Sequence, residues 1–122
     1  MPPTTNEITE QVIGCVFAVA NILGPRFLEK VYENAQAHEL RKAQLTAEQQ
    51  APVRVFHDSV LVGEFFADIL VKKQVVVELK CTEKITNLHA AQCLNYLRAT
   101  GLRTGLLISF ATPRIGIRRF SL

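Results

Sequence analysis

Residues 75–79 constrain the fold of this chain more than any other segment, because they form a short and almost continuous apolar run, VVVEL. A strand of this composition is normally buried on both faces of a sheet. Residues 105–110 have the same character. The chain therefore needs a central sheet with other elements covering both of its faces.

Helices are predicted before and after this strand. Apolar residues recur at helical spacing between positions 8 and 23, where Thr5 or Asn6 could cap the helix and Gly24-Pro25 ends it. A second helix is predicted over residues 27–43, and a third over residues 87–100, closed by Gly101. The apolar side of the second helix is expected to comprise Phe27, Leu28, Val31, Ala35 and Leu40.

The remaining apolar segments read as strands. Pro52 opens a β region in which residues 60–71 follow a turn at 57–59, and a last short strand ends near Phe120. The predicted order is ααβββαββ, an α/β fold in which helices pack against a central mixed sheet.

Length and composition bound the kind of protein. We expect 122 residues to form one domain over positions 1–122, with residues 1–5 as a flexible tail. Hydrophobic residues make up 48% of the chain, yet no apolar run approaches the roughly 18 to 20 residues of a membrane span. The first residues lack the pattern of a signal peptide, so a cytoplasmic protein without membrane contact is expected.

Charge permits a nucleic-acid partner without requiring one. The net charge is +3, and no acidic residue follows Glu83. The three cysteines are odd in number and form no CxxC pair, which argues against a disulfide framework or a zinc cluster. Arginines concentrate in the last quarter of the chain, namely Arg98, Arg103, Arg114, Arg118 and Arg119.

Two carboxylates, Asp68 and Glu78, interrupt strands that otherwise read as core. A hairpin centred on Lys73 places them directly opposite each other on one face, with Cβ atoms roughly 5 Å apart. Two buried carboxylates repel each other, whereas a divalent cation between them makes the arrangement favourable. The spacing therefore predicts a metal site.

Lys80 follows Glu78 by two residues, so strand alternation puts it on the same face. A water activated by Mg²⁺ or Mn²⁺ can attack a phosphodiester, while a lysine orients that water or stabilises the developing charge. The alternative interpretation is an ion pair between Glu78 and Lys80 at the strand end, with Asp68 capping a turn.

Three further side chains could complete such a site. Gln92 and Tyr96 share one helix face at i and i+4, and either could hydrogen-bond a phosphate or the attacking water. Glu29 is either a solvated glutamate at a helix start or an additional metal ligand. His89 could line the site, but a surface or capping role is the alternative that its position favours.

These motifs, in this order, resemble a known superfamily. Asp68, Glu78-Leu79-Lys80 and Gln92 to Tyr96 are similar to the D…ExK…QxxxY series of RecB-type PD-(D/E)XK nucleases, and the chain more narrowly resembles the GxxExxY proteins over nearly its whole length. The resemblance implies a restriction-endonuclease-like core, Asp68, Glu78 and Glu29 as metal ligands, Lys80 as the catalytic lysine, and Gln92 and Tyr96 as supporting groups.

The chain departs from the family pattern at a few positions. Arg26 stands where the first Gly of the naming motif is expected, and Ala67 stands where the superfamily name has Pro. Phe66, Ala90 and Ser109 replace an expected Arg, Glu and Asn. These changes affect the rim of the site rather than its centre. Candidate nucleic-acid contacts are Arg26, Tyr32, Arg98, Arg118 and Arg119.

The sequence thus predicts a Mg²⁺- or Mn²⁺-dependent nuclease, with DNA favoured as substrate. A catalytically silent nucleic-acid-binding module and a protein-interaction partner that keep the fold are the alternatives. A homodimer would fit a chain this small, which covers little of a duplex alone.

Overall fold

The chain folds as a mixed five-stranded sheet with three helices in a computed structural model that describes residues 1–82, 84–111 and 114–122. The order ααβββαββ is confirmed, and so is the mixed sheet. The elements are α1 (Thr5–Leu23), α2 (Glu29–Lys42), β1 (Ala47–His57), β2 (Val60–Val71), β3 (Val75–Lys80), α3 (Asn87–Thr100), β4 (Thr104–Ser109) and β5 (Gly116–Ser121).

Strand β3 lies at the centre of the sheet, whose order is β1-β2-β3-β4-β5. Its pairing with β4 is parallel, because α3 crosses over between the two strands, and the other pairings are antiparallel. Val75, Val77 and Leu79 belong to a first core shared with α1 and α2, whereas Val76 belongs to a second core under α3. Both faces of β3 are therefore buried, as the sequence predicts.

Helix α1 begins at Thr5, earlier than a cap at Thr5 or Asn6 would place its first residue. Thr4 is the N-cap, and its hydroxyl accepts a 3.2 Å hydrogen bond from the backbone N–H of Glu7. Caps at Thr5 or Asn6 are therefore wrong, since both residues are already helical. Gly24, at φ 71°, ends the helix as predicted.

The buried face of α2 differs from the predicted one. Phe27 and Leu28 precede the helix and are exposed, and Val31 is also exposed. The helix instead packs through Tyr32, whose ring stacks on Phe110 at a centroid distance of 4.5 Å. The buried face comprises Tyr32, Glu33, Gln36, Ala37 and Leu40. Leu40 is buried as predicted and Ala35 is partly buried, but two polar residues also lie on the buried face, so hydrophobicity alone identifies only part of it.

Strands β1 and β2 form a hairpin that extends well beyond the rest of the sheet. Strand β1 starts at Ala47, before the predicted opening at Pro52. Its pairing with β2 runs to the turn at Asp58 and Ser59, whereas only residues 69–71 of β2 pair with β3. We call residues 51–67 of this hairpin the arm.

Among the described residues, no helix combines the length and the apolar character needed to cross a membrane.

Candidate active site

Asp68 and Glu78 lie where β2 separates from β3. The strands pair as Val71 with Val75, Leu70 with Val76 and Ile69 with Val77, which confirms the hairpin register centred on Lys73. Beyond that point, hydrogen bonds from backbone N–H groups to side-chain carboxylates replace the backbone–backbone hydrogen bonds between the two strands. The backbone N–H of Asp68 donates to Oε1 of Glu78 over 3.3 Å, and the backbone N–H of Leu79 donates to Oδ2 of Asp68 over 2.7 Å.

A local change of face in β2 creates this opening. Ala67 packs in the second core, whereas Ile69 packs in the first, although a regular strand would point both side chains to the same face. Strand β1 has a matching irregularity at Gln50, whose φ is 52°. Gln50 lies between the two β1 residues that pair with Ile69 and Ala67 of β2. The irregularity lets Asp68 reach across to β3.

Glu78 is almost completely buried, with 4% of its surface exposed. Burial, followed by the nearby charge of Asp68, raises its pKa from 4.5 to about 9. At neutral pH without a cation, the carboxyl therefore carries a proton. A divalent cation would compensate both the burial and the repulsion, and would favour the ionised form.

Lys80 ends β3 and is half-buried, opposite Ser109 of β4. Its side chain makes no ion pair with Glu78 within 4.0 Å. The alternative interpretation of these two residues as a strand-end ion pair is therefore wrong.

Helix α2 directs Glu29 toward the same region. Partial burial raises the pKa of Glu29, the charge of Lys80 lowers it, and the charges of Asp68 and Glu33 raise it further. Glu29 thus lies within electrostatic range of both Asp68 and Lys80. Its helix-start position leaves it exposed, so it can approach a substrate.

Helix α3 brings Gln92 and Tyr96 to the other side of the site. Nε2 of Gln92 donates to the hydroxyl of Tyr96 over 3.0 Å, and Tyr96 is buried. Burial and then the charge of Glu78 raise the pKa of Tyr96. His89 instead caps α3, since its Nδ1 accepts a 3.2 Å hydrogen bond from the backbone N–H of Thr86.

Glu33 and Gln50 also belong to this region, although neither was predicted from the sequence. Glu33 is buried, and it accepts hydrogen bonds from Lys30 at 2.9 Å, Gln49 at 2.7 Å and Gln50 at 2.7 Å. Nε2 of Gln50 also lies 3.5 Å from Oδ1 of Asp68. Gln50 therefore links a buried carboxylate to the site. The available signal was the i, i+4 spacing of Glu29 and Glu33, which puts both on one helix face.

The candidate nucleic-acid contacts lie in different places. Arg26 is exposed with a φ of 75°, and Arg98 is exposed on α3. On β5, Arg118 lies over the ring of Phe120 at 5.1 Å, and Nη1 of Arg119 is 3.4 Å from the hydroxyl of Thr9.

Tyr32 is placed differently from these arginines, because only 1% of its surface is exposed. Its hydroxyl donates to the carbonyl of Gly24 over 2.6 Å and accepts from the backbone N–H of Phe27 over 3.3 Å. It therefore anchors the segment before α2 and presents no surface to a nucleic acid.

The protein's own ligands for a cation are few. Within residues 1–82, 84–111 and 114–122, no group of three or more His, Cys, Asp and Glu side chains is arranged to hold a metal ion. The arrangement is a buried carboxylate pair, with an amine, an amide and a phenol around it. Such a set suits Mg²⁺, which takes one or two protein carboxylates and completes its shell with water and substrate phosphate.

Comparisons with known proteins identify the family and the fold of this chain. A family model for the PD-(D/E)XK nuclease superfamily matches residues 6–120. The structure is similar to that of SSO0001, with a TM-score of 0.58 and 20% identity over 95% of this chain and 58% of that one. It is also similar to an alkaline exonuclease (LHK-Exo) from Laribacter hongkongensis, with a TM-score of 0.57 and 12% identity over 99% of this chain and 72% of that one.

At these identities the two solved structures show the shared fold. The chain spans well under two thirds of the length of SSO0001. No curated protein matches the chain.

Proposed function

Since this chain belongs to the PD-(D/E)XK nuclease superfamily, we propose that it hydrolyses phosphodiester bonds of nucleic acid, with DNA favoured, in a reaction that depends on Mg²⁺ or Mn²⁺. The observation that carries the proposal is the pairing of Asp68 with Glu78 where β2 and β3 separate. A cytoplasmic setting and a homodimer belong to the same proposal.

The residues at the site fit a divalent cation. Without one, burial and the charge of Asp68 keep Glu78 protonated at neutral pH, and a cation between the two carboxylates would remove the repulsion between them. Asp68 and Glu78 would hold the ion, and Glu29 lies within electrostatic range of Asp68. When bound, such a cation polarises a phosphoryl oxygen and lowers the pKa of water.

Other side chains would position the substrate and stabilise charge. Lys80 makes no ion pair with any described residue, so its ammonium group is available to the charge that develops on the phosphate. Gln92 and Tyr96 are already hydrogen-bonded to each other, which holds both in place beside Glu78. Glu29 would orient the attacking water from the α2 side.

Within the superfamily, we place the chain with the GxxExxY proteins. Support comes from three residues of the segment before and within α2. Arg26, at the position of the motif glycine, has the positive φ that glycine tolerates best. Glu29 lies within electrostatic range of Asp68 and Lys80, and Tyr32 anchors the backbone segment before α2.

The test is cleavage of labelled single- and double-stranded DNA, and of RNA, with Mg²⁺ or Mn²⁺ against EDTA. We expect Glu78→Gln and Lys80→Met to reduce the cleavage rate by about 100-fold or more, because the first removes a proposed ligand of the cation and the second removes a group that acts on the developing charge. Lys73→Met, which removes a charge from the exposed β2–β3 turn, is the matched control.

Equal rates in all four proteins would contradict the proposal. Nucleic-acid binding without cleavage, unchanged by Glu78→Gln, would support the silent binding module in its place.

A further inference from the structure

A groove lies between the arm and α3, with a volume of about 570 Å³. Strand β1 supplies one wall, Phe65 of β2 the base, and α3 the other wall. We call it the arm groove, and it is lined by Arg54, Val55, Phe56, Phe65, Asn95, Arg98 and Ala99. Among these residues, only Arg98 was predicted from the sequence to contact nucleic acid.

The groove adjoins the candidate active site through an aromatic contact. The rings of Phe65 and Tyr96 lie 6.0 Å apart at an interplanar angle of 51°. Tyr96 in turn is hydrogen-bonded to Gln92 and close enough to Glu78 for that charge to raise its pKa. A polymer whose phosphate reaches Glu78 would therefore extend into the groove.

The lining combines exposed aromatic rings with positive charge. Phe56 is 60% exposed and Phe65, which also contacts Tyr96, is 49% exposed. Nε of Arg54 bonds Glu64 at 2.9 Å, and Nη1 of Arg98 bonds Asn95 at 3.2 Å, so both guanidinium groups are oriented and keep further N–H donors. None of the residues that line the groove is acidic.

Such a combination matches the chemistry of unpaired nucleotides. Bases of a single strand stack on aromatic side chains, and arginines bind the phosphates between them. A duplex buries the faces of its bases, so it offers the two phenylalanines nothing to stack on. Arg54 is already paired with Glu64, but a purely apolar partner would leave Arg98 without a counter-charge.

We propose that the arm groove binds a single-stranded segment of nucleic acid next to the scissile phosphate, with bases on Phe56 and Phe65 and phosphates on Arg54 and Arg98. This inference rests on the proposed nuclease function and makes unpaired nucleic acid its substrate class.

The test measures binding in EDTA, where no cleavage occurs, by fluorescence anisotropy with a 20-nucleotide oligo(dT), a 20-nucleotide oligo(rU) and a 20-base-pair duplex DNA. We expect Phe65→Leu to weaken oligo(dT) binding at least about fivefold, while Phe65→Tyr keeps the affinity because stacking is retained. Phe17→Leu is the matched control, since Phe17 is 48% exposed and lies on α1 away from the groove.

A second pair of variants tests the phosphate contact proposed for Arg98. Arg98→Gln should reduce the dependence of oligo(dT) binding on salt by about 0.7 in the log–log slope, because one phosphate contact is lost. Arg103→Gln removes an equal charge from an exposed position outside the groove, and it should leave the slope unchanged. Comparison of oligo(dT) with oligo(rU) identifies the sugar that the groove accepts.

Several outcomes would overturn the proposal: equal oligo(dT) affinity of wild type and Phe65→Leu, an equal loss on duplex, or a Phe65→Leu protein that loses self-association in ultracentrifugation instead of affinity. Failure of the groove is distinguishable from failure of the nuclease. If only the groove proposal fails, Glu78→Gln still abolishes cleavage, whereas Phe65→Leu does not alter binding. If only the nuclease proposal fails, Phe65→Leu weakens binding of a single strand that the wild-type protein does not cleave.

Discussion

Asp68 donates its backbone N–H to Oε1 of Glu78, and its own carboxylate accepts the backbone N–H of Leu79. Each of the two strands thus gives a backbone donor to the carboxylate of the other, at the point where regular pairing stops. The donors fix the orientation of both carboxylates before any ligand binds. Such preorganisation is what a cation site on a small sheet needs.

The first prediction concerns the pH dependence of stability without divalent cations. Glu78 has an ordinary pKa of 4.5 and a pKa of about 9 in the folded protein, so between these values the folded state retains a proton that the unfolded state releases. Its contribution to stability is complete below pH 4.5 and is lost as the pH rises to about 9. The free energy of unfolding should fall by roughly 1.4 kcal/mol per pH unit from this group.

Urea denaturation in EDTA at pH 6, 7 and 8 measures this slope. The Glu78→Gln variant has no proton to release at this position, so the difference between its profile and that of wild type isolates the contribution of Glu78. Parallel profiles would show that Glu78 does not titrate as a buried acid.

The second prediction concerns stabilisation by the cation itself. At pH 8, Mg²⁺ or Mn²⁺ at ten times its dissociation constant should raise the free energy of unfolding by about 1.4 kcal/mol, because only the folded state brings Asp68 and Glu78 together. Asp68→Asn should abolish the gain. Glu10→Gln, at an exposed position of α1, should retain it. A cation effect that persists in Asp68→Asn would place the ion elsewhere.

Much of this arrangement is readable from the sequence, for identifiable reasons. The continuous run at residues 75–79 fixes β3 as the central strand, and the turn around Lys73 fixes its register with β2. The register brings Asp68 and Glu78 to the same end of the hairpin. The change of face between Ala67 and Ile69, which lets Asp68 reach across to β3, could not be read from the pattern.

Other features depend on partners that are distant in the chain. Gln36 looks like a surface residue of α2, yet it is buried because its Nε2 donates to the carbonyl of Val12 over 3.1 Å. Glu33 is buried for the same kind of reason. Apolar residues of the arm such as Phe56 and Phe65 read as core, whereas the hairpin extends beyond the sheet and leaves them exposed.

The third prediction tests Glu33. Glu33→Gln turns one acceptor oxygen into a donor that meets the amide donors of Gln49 and Gln50, which should lower the free energy of unfolding by about 1–3 kcal/mol. Glu39→Gln is the matched control, because Glu39 lies on the same helix and also pairs with a lysine three residues away. That variant should lose at most about 1 kcal/mol in urea denaturation. Similar losses of unfolding free energy in both variants would show that Glu33 contributes no more than a surface ion pair does.

The fourth prediction concerns the packing of α3 on β4. A Cβ at Gly105 would lie 2.9 Å from Sγ of Cys93, so Gly105→Ala should cost about 1–3 kcal/mol of stability. Cys93→Ala removes the clashing atom. The double variant should therefore be more stable than the sum of the single effects by about 1 kcal/mol or more. Strict additivity in thermal or urea unfolding would contradict this contact.

The last prediction concerns Arg26, which has a φ of 75° between α1 and α2. In this region of φ, a residue with a Cβ is destabilised by about 1–2 kcal/mol, whereas glycine costs only the roughly 0.5–1 kcal/mol of its greater unfolded-state entropy. Arg26→Gly should therefore raise the free energy of unfolding by up to about 1 kcal/mol. Arg26→Ala keeps the Cβ and should give no gain, so a gain in both would implicate the charge rather than the backbone. If Arg26 also contacts phosphate, both variants should lose nucleic-acid affinity equally, because the guanidinium is absent from both. A stability gain confined to Arg26→Gly, with equal affinity losses, would show that this chain retains backbone strain in order to keep an arginine that binds phosphate.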